Sequence, residues 1–223
     1  MSAGAARRVA GIVLAAGSST RMGANKLLLE LDGEAVVRRA ARTASAAGLD
    51  PVVVVTGHEH EAVTAPLHDL SVRVVNNIEH ANGTHTSVAA GIAAVPDDCA
   101  AAVVVLADMP FVTPAMLREV VARYGVGRHD RSRPPLVVSR YGGDVTAPPI
   151  LYDRALFGEL ATMDSRCGRA VVRRHLHEAV LVEWPAEAAR DLDRPVDYEV
   201  AREELEPARD EESRALEGAA AHG

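Results

Sequence analysis

The chain reads as an α/β protein: three layers, Rossmann-like, with a mostly parallel sheet between two sets of helices. Three observations predict this. Short apolar runs alternate with amphipathic stretches along most of the chain, the order that strand–helix alternation produces. Several runs are continuous Val/Ile/Leu segments, which is the pattern of strands covered on both faces. With 223 residues, 48% of them hydrophobic, the chain can bury one good core. We therefore expect one domain over residues 1–205.

In order, strands are predicted over Val9–Ala16, Pro51–Thr56, Ser71–Val75, Ala100–Ala107, Leu136–Ser139 and Ala179–Glu183. Helices are predicted between and after them, over Glu34–Ala47, His60–Leu67, Thr86–Ala94, Pro114–Tyr124, Arg154–Leu160, Gly168–His177 and Pro195–Glu204. The clearest start is Thr113-Pro114, a capping hydroxyl followed by proline at the first helical position. Gly125–Pro135 is polar and charged and reads as an exposed connection. Residues 206–223 are rich in Ala and Glu with little apolar periodicity, and read as a frayed tail.

Charge narrows the partners. A formal net charge of −7 argues against general affinity for nucleic acid, whose backbone demands a basic face. Yet no Asp or Glu precedes Glu30, while Arg7, Arg8, Arg21 and Lys26 all do. Local charge opposing global charge suits one small polyanion bound at one place. Cys99 and Cys167 show no metal-ligand spacing and suit a reducing compartment. No apolar run approaches the roughly 20 residues of a membrane span, and no signal-peptide core is evident. A cytoplasmic protein with no membrane partner is the expectation.

Lys26 is the single lysine among 24 basic residues. In an Ala- and Arg-rich chain, a retained lysine suits work a guanidinium cannot do, such as a compact ammonium reaching a phosphate oxygen; chance placement is the alternative. The stretch before it, Gly17-Ser-Ser-Thr-Arg21-Met-Gly23, follows the first strand. Ligands of α/β sheets bind beyond the carboxyl ends of strands, and small residues there let backbone N–H groups approach phosphate. The loop lacks the Gly-Lys-Ser/Thr ending of a Walker A motif, and it is not a GxGxxG fingerprint.

The pattern Leu14-Ala-Ala-Gly-x-Ser-x-Arg-Met-Gly-x-x-Lys26 resembles the signature loop of the MobA-like nucleotidyltransferases, and among them most closely the molybdenum cofactor cytidylyltransferases. Their guanylyltransferase cousins usually carry glycine where this chain has Ala16. The resemblance runs from about Val9 to Tyr198. It implies a nucleotidyltransferase fold, with nucleotide held by Leu14, Ala15, Ala16, Gly17, Ser18, Arg21 and Lys26. It also implies that Asp108, at the end of Val105-Leu-Ala-Asp108-Met-Pro110, holds Mg²⁺ on the nucleotide phosphates. Mg²⁺ does favour one or two carboxylates plus phosphate and water; a strand-end Asp that caps a turn is the alternative. The second carboxylate implied is Asp191 in Asp191-Leu-Asp193-Arg-Pro195, with Asp193 the substitute and solvated helix-cap carboxylates the other reading.

Asn82-Gly-Thr-His-Thr-Ser87-Val-Ala-Ala-Gly91 resembles the family stretch facing base and ribose, which implies roles for Asn76, Gly83 and Ser87; an Asn/Gly turn capping a helix accounts for the asparagines as well. Gly57-His58-Glu-His60-Glu61 reads as a loop entering a helix, and His85 receives no role. Toward the acceptor side, Ala147 and Asp164-Ser165 depart from the family pattern.

The implied reaction is transfer of CMP from CTP to molybdopterin with release of pyrophosphate. Arg21 would steady the leaving group, Lys26 the α-phosphate and Asp108 the Mg²⁺, with a molybdoenzyme as a downstream partner. Transfer to another phosphorylated acceptor such as a sugar phosphate, or a non-catalytic maturation role, are the alternatives.

Overall fold

A computed structural model describes residues 8–18, 22–125, 133–163 and 169–205. Arg21, residues 126–132 of the expected connection Gly125–Pro135, the segment 164–168 and the tail beyond residue 205 lie outside the described residues.

The central sheet has seven strands. They are β1 (Arg8–Ala15), β4 (Val52–Thr56), β5 (Arg73–Asn76), β6 (Cys99–Leu106), β7 (Leu136–Tyr141), β8 (Val145–Asp153) and β9 (Val180–Trp184). A separate hairpin joins β2 (Glu30–Leu31) to β3 (Glu34–Ala35). The spatial order is β5-β4-β1-β6-β8-β7-β9. Only β8 runs against its neighbours, β6 and β7; the other pairings are parallel.

The helices are α1 (Val36–Ala46), α2 (His60–Thr64), α3 (Thr84–Ala93), α4 (Pro114–Tyr124), α5 (Phe157–Ala161), α6 (Arg169–His175) and α7 (Pro195–Leu205). Alternate residues of each strand feed two cores, because successive side chains point to opposite faces. Val13, Val54 and Val103 pack with α1, α4 and α7 on one side. Ile12, Val55 and Val104 pack with α3, α5 and α6 on the other. Each such Val or Ile, fully buried, contributes about 1.5–3 kcal/mol of transfer free energy. Continuous apolar runs were therefore a sound reading: both faces of the sheet are covered.

One glycine sets how closely a helix approaches the sheet. A Cβ on Gly91 of α3 would fall 2.5 Å from Ile12 Cγ2 of β1. Its absence lets α3 lie tight against β1 and carries Ser87, one turn earlier, to the carboxyl end of the sheet.

The helix expected over His60–Leu67 ends at Thr64 and continues as a 3₁₀ turn, and that over Arg154–Leu160 opens with a 3₁₀ turn before α5; two elements differ more. The predicted helix over Glu34–Ala47 begins at Val36, because Glu34-Ala35 close a hairpin around Asp32-Gly33, both at positive φ (55° and 68°). Such turns favour Asp-Gly. The stretch Val145–Tyr152, for which no strand was expected, lies within β8. Pro148 and Pro149 argue against a ladder position. They sit where the β7–β8 register shifts, between Val138 and Arg140. Ser139 Oγ and Tyr141 Oη donate to the Pro149 and Pro148 carbonyls, each at 2.7 Å.

Candidate active site

A cleft opens at the carboxyl ends of β1 and β6, where chain connections depart to opposite halves of the sheet, the place where α/β sheets bind ligands. Its walls are Leu14 to Gly17 after β1, Lys26 and Leu27, Leu106 and Asp108 after β6, and His80, Thr84 and Ser87. The Ala107 N–H donates to the Leu14 carbonyl at 3.1 Å, tying the two strand ends together.

Lys26 opens a short 3₁₀ turn, Lys26–Leu28. The Asn25 side chain caps it by accepting from the Leu27 N–H at 3.1 Å, and buried Leu27 anchors it in the core. The ammonium then lies between two carboxylates. Nζ is 2.6 Å from Asp108 Oδ2 and 3.0 Å from Asp193 Oδ1, with side-chain exposures of 11%, 20% and 41% for Lys26, Asp108 and Asp193. The aspartates come from distant parts of the chain, and the backbone aligns them: Leu192, fully buried, donates its N–H to the Asp108 carbonyl at 3.0 Å. Asp191 and Asp193 thus flank a fixed point beside Asp108.

The electrostatics follow. Desolvation works to lower the Lys26 pKa, but the charges and hydrogen bonds of Asp108 and Asp193 outweigh it, and the net shift is upward. Desolvation raises the Asp191 carboxyl, and the charges of Asp193 and Asp108 push it further, against a smaller opposing pull from Lys26. Among the described residues, the Lys26 ammonium thus stands against Asp108 and Asp193, with the Asp191 carboxyl close enough to feel the charges of all three.

That donor set fits a hard divalent cation. Among the described residues no group of three His, Cys, Asp or Glu is arranged to hold a metal by itself. Mg²⁺ or Mn²⁺ needs no such cage when phosphate oxygens and waters complete its shell. Asp108 with Asp191 or Asp193 could supply the protein's share.

Across the cleft the wall is polar and tightly built. Buried Asn77 donates to Thr86 Oγ1 at 2.8 Å and to Ser87 Oγ at 2.9 Å, while its Oδ1 accepts from the Glu79 N–H at 3.0 Å. Ser87, 3% exposed, lines the cleft. Gly83, at φ 123° and ψ 164°, lets the chain turn into α3. His80 packs where a Gly57 Cβ would meet it at 2.6 Å, so residue 57 must be small for His80 to hold its place.

Of the residues expected from sequence, the structure gathers Leu14, Ala15, Ala16, Gly17, Lys26, Ser87 and Asp108 around one cleft. Ser18 is exposed just beyond Gly17, Asn76 is exposed at the end of β5, and Gly83 supports the wall; none of these three lines the cleft. Asp191 stands beside Asp193, which makes the Lys26 contact. His85 places its Nδ1 in a buried position with no hydrogen-bond partner. Sequence reasoning missed His80 and Thr84. Their position inside the Asn77–Ser87 stretch was the available signal.

Comparison with known proteins agrees with this fold. The family described as the MobA-like NTP transferase domain matches residues 11–180. The purine catabolism protein PucB of Bacillus subtilis is 31% identical over 205 residues, 86% of this chain and 95% of PucB. The bifunctional protein GlmU of Corynebacterium aurimucosum is 37% identical over 120 residues, 50% of this chain; the match spans only 24% of GlmU's length. Among solved structures, Rv0371c of Mycobacterium tuberculosis superposes with a TM-score of 0.76 at 28% identity, covering 89% of this chain and 100% of that one. Its complex with manganese superposes at 0.69 with 26% identity, covering 88% and 98%.

Proposed function

This chain belongs to the MobA-like NTP transferase family, and we propose that within it the protein is a Mg²⁺-dependent cytidylyltransferase, passing CMP from CTP to molybdopterin. The observation that carries the reading is the pairing of Lys26 with Asp108 across one cleft, at 2.6 Å, beside the backbone of Ala16 and Gly17. An ammonium for phosphate and a carboxylate for metal stand where a triphosphate would lie. The choice of CTP and molybdopterin rests on the signature loop, with Ala16 where guanylyltransferases carry glycine.

The acceptor is a terminal phosphate, already anionic, so no side chain need act as general base. One of its oxygens bonds to the α-phosphorus of CTP; the bond to the bridging oxygen of the β-phosphate breaks, and pyrophosphate leaves with that electron pair. The protein's task is positioning and charge neutralisation. Lys26 would swing from Asp108 and Asp193 to the α-phosphate, Arg21 would hold the pyrophosphate, and backbone N–H groups after β1 would cradle the chain of phosphates. Asp108, with Asp191 or Asp193, would hold the divalent ion, which neutralises phosphate charge when bound. Ser87, Thr84 and His80 would form the wall toward base and ribose.

Incubation with Mg²⁺, each NTP in turn and either molybdopterin or a sugar phosphate, followed by pyrophosphate release, tests the reading. The expected result is pyrophosphate from CTP and molybdopterin, abolished by Asp108→Asn. Release only with a sugar phosphate would move the acceptor. Tight nucleotide binding without turnover, unaffected by Asp108→Asn, would replace the enzyme with a carrier.

A further inference from the structure

The Gly57-His58-Glu59-His60 segment, left without a role by the sequence, touches several parts of the cleft. The His58 N–H donates to the Ala16 carbonyl at 3.4 Å. Gly57 gives His80 its space. His60 Nδ1 lies 2.7 Å from Thr56 Oγ1, fixing the start of α2 to the end of β4. Glu59 does something less ordinary. It holds a left-handed backbone conformation, φ 50° and ψ 43°, which L-residues other than Asn and Asp rarely enter. Its carboxylate accepts from Asn25 Nδ2 at 2.8 Å. Asn25 in turn caps the turn that begins with Lys26.

We propose that Glu59 is a positioning residue for nucleotidyl transfer: it accepts the strained conformation in order to clamp the Asn25 side-chain amide, and so sets the turn that aims Lys26 into the cleft. The amide is used at both ends. Oδ1 caps Leu27 while Nδ2 binds Glu59, so the orientation of the amide plane, and with it the start of the 3₁₀ turn, is fixed from two directions. The proposal rests on the nucleotidyltransferase reading above. It adds that the β4–α2 connection, 34 residues from Asn25, controls nucleotide engagement without touching the nucleotide.

The test separates clamp from scaffold. Glu59→Gly relieves the backbone strain and removes the clamp; Asn25→Asp keeps the cap but sets two carboxylates against each other. The double variant Asn25→Asp with Glu59→Gln restores a donor–acceptor pair with its polarity reversed. Thermal midpoint, CTP affinity by calorimetry, and KM and kcat by pyrophosphate release are measured for each. The expected result is a Glu59→Gly midpoint at or above wild type with CTP KM raised about tenfold, the scale of a lost hydrogen bond to a charged group. Asn25→Asp is expected to show a similar loss, and the double variant to recover CTP affinity and KM to within about twofold of wild type. Wild-type KM and affinity in Glu59→Gly, or no recovery in the double variant, would overturn the clamp. Absence of turnover in the wild type would instead defeat the transferase reading, and leaves the calorimetric arm to decide the clamp.

Discussion

Replacing Lys26 by Met keeps the aliphatic stem and deletes the charge. In the free protein that ammonium lies 2.6 Å from Asp108 and 3.0 Å from Asp193, largely withdrawn from water. At an effective dielectric near 20, each contact is worth roughly 6 kcal/mol of gross Coulomb attraction, most of it offset by desolvation. Removing one partner of a fully buried pair costs about 3–5 kcal/mol, and exposed pairs contribute under about 1. With Asp193 41% exposed and Asp108 20% exposed, the cost should fall between, at about 2 kcal/mol. For a chain of this size that lowers the thermal midpoint by about 4–8 °C. The variant takes the ammonium away from Asp108 and Asp193, so a divalent ion should restore stability: at a hundredfold excess over its dissociation constant it adds about 2.7 kcal/mol. Thermal unfolding in chelator and in Mn²⁺ measures both effects, with wild type gaining less from Mn²⁺ because its carboxylates are already paired. A Lys26→Met midpoint equal to wild type in chelator, or no larger Mn²⁺ gain, would refute the reasoning. Lys26→Arg supplies the control: the charge remains and stability holds, but turnover should fall about 10²-fold because a planar guanidinium cannot replace the point charge.

Other outcomes follow from packing and linkage. Gly91→Val forces methyl groups into Ile12, already 2.5 Å from a single added Cβ, and should cost at least about 1–3 kcal/mol in denaturant unfolding. Leu192→Ala empties a fully buried site between two of the aspartates; a loss of about 2–5 kcal/mol is expected, with divalent-ion affinity weakened as Asp191 and Asp193 lose their anchor. Asp69 is held down to about 2 by its hydrogen bond to Arg38. A depressed carboxyl contributes stability that is complete above about pH 4 and disappears as pH falls toward 2. Asp69→Asn should therefore flatten the pH dependence of the denaturation midpoint between pH 4 and 2, although screening at this exposed pair keeps the difference small.

Local patterns explain what was legible. The helix over Pro114–Tyr124 has the bounds expected, because Thr113 accepts from the Met116 N–H, proline starts the helix and Gly125 ends it at φ 74°. The apolar strands were visible because both faces are buried. The Asp32-Gly33 hairpin carried a recognisable turn signal, but strands of two residues have no periodicity to detect. β8 was hidden by its two prolines, admissible only because the partner strand is irregular opposite them. Gly57 leaves His80 its place at the cleft, a contact made by folding.

By itself, the amino-acid order determined the layered α/β architecture and marked the Gly/Ser loop after the first strand, Lys26 and Asp108 as candidates, since each is written in neighbouring residues. Only the tertiary structure decided what surrounds Lys26. Asp193 lies 167 positions away and Glu59 reaches the lysine's turn through Asn25, and no local pattern encodes such meetings. Parallel strands place their carboxyl ends on one edge of the sheet, and there residues remote in the chain come within hydrogen-bonding distance.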